Sequence, residues 1–135
     1  MSGIFIDTGF IIALESVTDQ NHKRALRQWN ELLKDLPEMV ATTYVIDEIV
    51  TFFNSRNRHA KAVEIGSRLM NSRSVQVIHV DKELFDKGWQ YFQQHADKTY
   101  SMTDCISFVV MKEREIDSAL SFDKHFTQAG FKVLP

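Results

Sequence analysis

Four carboxylates carry the chemistry open to this chain: Asp7, Glu48, Asp104 and Asp123. In Gly3-Ile-Phe-Ile-Asp-Thr-Gly-Phe-Ile-Ile-Ala-Leu14, an apolar run stops at Asp7 and another begins after Gly9. That pattern reads as a buried strand that ends in an acid where a helix begins. Open α/β sheets bind ligands outside that edge. Asp123 repeats the arrangement just after Ser118-Ala-Leu-Ser121. On a helix starting at Thr43, Glu48 falls between Tyr44 and Phe52, at the margin of the apolar arc, while Asp47 points to solvent. On a helix opened by Ser101, Asp104 shares a sector with Phe108 and Met111. Thr103, Ser107 and Arg114 mark the polar stripe of that helix.

Each acid also has an ordinary structural explanation. Asp7 can cap a helix, and Asp123 can be a turn or cap residue. Asp104 closes the capping-box spacing Ser101-Met-Thr-Asp104. Glu48 can be a rim residue reaching for water. Taken together, however, four acids converging on one edge would repel each other and raise each other's pKa values. A divalent cation removes that conflict, and hard oxygen ligands suit Mg²⁺ or Mn²⁺. No Cys/His cluster competes for zinc. The chemistry implied is metal-assisted attack of water on a phosphodiester.

Several elements must position these acids. A helix capped by Thr18 or Asp19 runs to about residue 34, with Ala25, Trp29, Leu32 and Leu33 on one stripe. Met39–Thr43 is a second strand. The helix from Thr43 presents Val45, Ile46, Ile49, Phe52 and Phe53, and another amphipathic helix spans about residues 58–70. Val75–Val80 is a third strand, and Asp81 caps a helix to about residue 95, a plain capping role. The Ser101 helix precedes a fourth strand at Ser118–Ser121, and Phe131–Leu134 is the fifth. Strands alternating with helices imply an α/β domain with a mainly parallel sheet covered on both faces.

The chain has 135 residues, 44% hydrophobic and 25% charged, which suits one domain. A net charge of −2 gives no basic excess, though a local basic face can coexist with an acidic site. The single cysteine, Cys105, fits a core position and excludes an internal disulfide. No leader-like or membrane-spanning run is present, so a cytoplasmic protein is expected.

Phe5-Ile-Asp-Thr8, Val45-Ile-Asp-Glu-Ile49, Asp104 and Ser121-Phe-Asp-Lys-His-Phe126 together resemble the PIN-domain ribonucleases. The similarity is greatest to VapC-type toxins of prokaryotic toxin–antitoxin pairs and covers nearly the whole chain. It implies a single PIN-like domain over residues 1–135 and an endoribonuclease dependent on Mg²⁺ or Mn²⁺. Asp7, Glu48, Asp104 and Asp123 would be the catalytic acids and metal ligands, with Thr8, Ser101 and Thr103 as supporting hydroxyls. It also implies a homodimer held inactive by a small antitoxin that covers the site. Three departures stand out. Ser121 replaces a usual threonine, and bulky Ile106 and Phe108 replace small residues. His125 stands where many members carry a further acid, so one well-formed metal site and a weaker one are expected.

Between Asn54 and Arg73 lie Arg56, Arg58, Lys61, Arg68 and Arg73 against only Glu64. Arg56, Arg58 and His59, close after the Glu48 helix, are the candidates for holding RNA phosphates. A haloacid-dehalogenase-type phosphatase is excluded because Gly9 occupies the place of its second aspartate. A phosphoacceptor receiver domain is excluded because it needs paired acids at the first strand and a lysine at the last. The remaining alternative is a PIN-like module that binds RNA or an antitoxin without cleavage.

Overall fold

A computed structural model describes residues 3–135. Its five strands, β1 (Ile4–Ile6), β2 (Met39–Thr42), β3 (Val75–Ile78), β4 (Ser118–Leu120) and β5 (Lys132–Leu134), form one sheet in the order β3-β2-β1-β4-β5. Every neighbouring pair is parallel. Between the strands lie α1 (Thr8–Glu15), α2 (His22–Leu32), α3 (Thr43–Asn54), α4 (His59–Asn71), α5 (Lys82–Gln94), α6 (Met102–Glu113) and α7 (Lys124–Gln128).

The strand order dictates where the helices go. The chain moves outward from β1 to β3, then returns across the sheet to β4 and β5. Right-handed crossovers therefore place α1–α4 on one face and α5–α7 on the other. The contacts agree, since α1 meets α2 and α3, α3 meets α4, and α6 meets both α5 and α7. β1 is buried along its whole length because it is the central strand of a sheet covered on both faces. The order reverses at the β1–β4 pair, and the carboxyl ends of those two strands open a crevice at such a switch point.

Three sequence expectations are corrected. α2 begins at His22, and neither Thr18 nor Asp19 caps it, because Asp19 accepts from the backbone N–H of Asn21 in a preceding turn. Leu33, beyond the helix end, is 52% exposed and leaves the apolar stripe. The polar stripe assigned to α6 does not face water either, since Thr103 and Ser107 are both buried. α6 is enclosed along nearly its whole length, and the Ser107 hydroxyl is satisfied by the Thr103 carbonyl at 2.8 Å. Asp81 caps α5 by accepting from Leu84, as its spacing predicts. Cys105 is buried, and its burial pushes the thiol up to about 11, which leaves it unreactive.

Candidate active site

Asp7 stands at the N-cap of α1, yet its side chain makes no capping bond. Its Oδ2 instead accepts from the Ser121 hydroxyl at 2.9 Å, across the β1–β4 junction. The backbone fixes that junction, with Asp7 N–H donating to the Leu120 carbonyl at 3.0 Å. The Ser121 oxygen in turn accepts from the Asp123 N–H at 2.9 Å, so one hydroxyl ties the two strand-end acids together. Sequence reading treated Ser121 only as a substitute for threonine. Its contact with Asp7 depends on β4 lying beside β1, which no local pattern announces.

Asp123 is the N-cap of α7 and accepts from the His125 N–H at 2.9 Å. Asp104 has the full capping box with Ser101, its Oδ2 accepting from Ser101 N–H at 3.1 Å. The capping explanation of Asp104 therefore holds, and the same carboxylate also faces the cleft. Its Oδ2 accepts from His125 Nδ1 at 2.9 Å. With the proton on Nδ1, Nε2 of His125 accepts from the Thr99 hydroxyl at 3.1 Å. Glu48 is half-buried on α3, and its Oε1 accepts from the Thr8 hydroxyl at 2.6 Å.

These groups line one open cleft of about 630 Å³, with Asp7, Thr8, Glu48, Thr99, Ser101, Asp104, Asp123 and His125 on its walls. The four sequence-selected acids thus meet, and so do two of the three selected hydroxyls. Thr103 does not, because it sits buried in the first turn of α6 and outside the cleft. Arg56, Arg58 and His59 do not line it either. Arg56 lies over the Phe52 ring at 3.7 Å, Arg58 over the Phe53 ring at 5.4 Å, and His59 bonds Asn54. They gather at the far end of α3, where Arg56 stands eight residues beyond Glu48 and past the helix end at Asn54. Lys61 and Arg68 are paired with Glu15 and Glu64, so that basic stretch is partly neutralised.

Burial pushes the Asp7 carboxyl from 3.8 up to about 7, against the Ser121 hydrogen bond, which favours the charged form. The negative charges of Asp104 and Asp123 add to the rise. Ligand atoms of Asp104, Asp123 and His125 lie within 4.8 Å of one another. Two carboxylates and an imidazole this close, in a cleft that Asp7 and Glu48 also line and with no cation paired to Asp7 among the described residues, form a donor set that can take a divalent ion.

A parallel sheet with an acidic cleft at its switch point defines a class, and residues 4–132 match the PIN domain. The chain belongs to the PIN-domain family. Within it, the chain is 34% identical over 128 residues, 95% of each chain, to the 23S rRNA-specific endonuclease VapC20 of Mycobacterium tuberculosis. The crystal structure of that VapC20, described as a sarcin–ricin loop cleaving toxin, superposes with a TM-score of 0.88 over 98% of this chain and 99% of the other. FitAcB from Neisseria gonorrhoeae shares the fold at 16% identity and a TM-score of 0.66, over 98% of this chain and 96% of the other.

Proposed function

We propose that this chain is a metal-dependent endoribonuclease that hydrolyses RNA phosphodiester bonds, acting as the toxin of a type II toxin–antitoxin pair. The observation that carries the reading is the convergence of Asp7, Glu48, Asp104 and Asp123 on one cleft. The likeness to VapC20 supports RNA as substrate, and a structured ribosomal RNA loop is the natural first candidate.

Asp7, Asp104 and Asp123 would hold Mg²⁺ or Mn²⁺, with Glu48 across the cleft. When bound, such an ion supplies a lowered water pKa and offsets charge on the phosphate. The chain's own residues do the positioning. Ser121 orients Asp7, the Ser101 backbone orients Asp104, and Thr8 holds Glu48. Thr8 leaves one Glu48 oxygen free to accept a proton from an attacking water. Arg56 and Arg58 lie beyond the cleft and would serve only as outlying phosphate contacts.

The likeness to a toxin also supports a small antitoxin as partner and the cytoplasm as the place of action. Among the described residues no helix is long and apolar enough to cross a membrane. A homodimer is supported by the exposed aromatic stripe Phe85, Trp89 and Phe92 on α5, an apolar surface that a second copy would cover.

The test is cleavage of a sarcin–ricin-loop RNA hairpin by the purified chain in Mg²⁺ or Mn²⁺. Wild type should cut, while Asp7→Asn and Asp104→Asn should each lose about a hundredfold or more in rate. Equal cleavage by all three proteins, or none by wild type, would defeat the reading and favour a binding module.

A further inference from the structure

The cations that flank the cleft are not those of the basic stretch after α3. Along the rim beyond Asp123 a second hollow opens, and it shares Phe122, Asp123 and Lys124 with the acid cleft. Arg24, from α2, forms its opposite wall. The guanidinium of Arg24 lies over the Phe122 ring, 5.2 Å from its centre. Phe122 is itself steadied by Phe10, whose ring is stacked nearly parallel at 6.0 Å.

Place rather than pairing separates these cations from the rest of the surface, since among the described residues Arg56 and Arg58 also lack a carboxylate partner but do not line the acid cleft or the hollow joined to it. Lys34, Lys61, Arg68, Lys82, Lys87 and Lys98 each have a carboxylate partner. Among the described residues, Arg24 and Lys124 have none within 4 Å. An exposed, unpaired arginine is ordinarily just a solvated side chain. Here the aromatic seat restricts its rotamers, so less conformational freedom is lost when it binds. A planar fork of donors with no carboxylate to satisfy it suits a phosphate.

We infer that Arg24, seated on Phe122 and assisted by Lys124, binds the RNA phosphate next to the scissile one and so sets the direction of the strand across the cleft. The inference rests on the nuclease reading for its substrate. It concerns positioning, because Arg24 lines the adjoining hollow and not the acid cleft itself. An arginine that merely packs on a ring would alter neither the salt dependence of RNA binding nor KM.

The experiment measures anisotropy of a fluorescein-labelled sarcin–ricin-loop hairpin with the full chain in EDTA, where nothing is cut, from 50 to 200 mM salt. Steady-state cleavage in Mn²⁺ is read in parallel. Arg24→Ala should weaken binding about tenfold and flatten the log–log salt slope by about 0.7 to 0.9. It should raise KM with kcat nearly unchanged. Arg24→Lys should recover the slope but only part of the affinity. Phe122→Leu should weaken binding with the slope kept.

If wild type binds and cuts while Arg24→Ala matches it in affinity, slope and KM, the site is overturned and the nuclease reading stands. If wild type binds through Arg24 but never cuts, the phosphate site stands and the nuclease reading falls. A wild type that binds no RNA overturns both.

Discussion

Asp7 shows most clearly what a single residue gives up for a site. Its carboxyl titrates near 7 in the folded chain and near 3.8 when exposed. Between those values the folded state keeps a proton that the unfolded state has lost. Without metal, stability should therefore fall as pH rises from about 4 to about 7, and be lowest above that window. Three pKa units correspond to about 4 kcal/mol at most. Asp7→Asn removes this slope, so at pH 8 it should be more stable than wild type by a few kcal/mol while losing activity. Urea unfolding of both proteins in EDTA across this range measures the difference, and parallel curves would show that Asp7 is not the source. The acid itself was legible in the sequence, because an apolar run ended on it. The partner that shapes its chemistry was not, since Ser121 lies 114 positions away and meets Asp7 only through strand pairing.

At the scale of elements, the cleft depends on α6 being held firmly enough to aim Asp104. α5 and α6 approach closely at Gly88, where an added Cβ would stand 2.6 Å from Cγ1 of Ile106. Ile106 is fully buried and has little room to retreat. Two effects then oppose each other in Gly88→Ala. Helix propensity favours alanine by about 1 kcal/mol, while overpacking typically costs about 1 to 3 kcal/mol. The clash should win, giving a net loss of about 1 kcal/mol and a lower melting temperature, and Gly88→Ala with Ile106→Val should recover none of it, because valine keeps a γ carbon at the clashing position. A single variant as stable as wild type would mean that the helices part freely. The same packing explains what periodicity misread in α6. Thr103 and Ser107 do form a polar stripe in the sequence, but a helix enclosed on nearly every side buries its small polar residues and satisfies them internally. The strand and helix succession was legible because each βα unit is patterned locally. The start of α2 was not, because Asp19 serves a turn rather than a helix end.

The whole molecule poses an electrostatic problem that neither residue nor element answers alone. A chain of net charge −2 is expected to hold a polyanion at a cleft walled by four carboxylates. Each wall was readable from sequence as an acid, yet their separate fragments gave no measure of mutual repulsion, which exists only once β1, β4, α3 and α6 are assembled. The raised Asp7 pKa reflects burial first and the Asp104 and Asp123 charges second, and a bound cation should offset both. Anything that binds the folded state alone stabilises it by RT ln(1 + [L]/Kd), about 2.7 kcal/mol at a hundredfold excess over Kd. For a domain of this size that is a rise on the order of 10 °C in melting temperature. Mg²⁺ or Mn²⁺ should produce it at pH 8 and produce progressively less as pH falls below 7, because Asp7 must then give up its proton to the solvent. Asp104→Asn should abolish most of the rise, whereas Arg56→Ala, outside the cleft, should preserve it. Thermal melts of the three proteins in EDTA, Mg²⁺ and Mn²⁺ provide the comparison. Identical curves with and without divalent ions in the wild type would mean that the assembled acids are satisfied by protein and water alone, and the proposed catalyst would lose its physical basis.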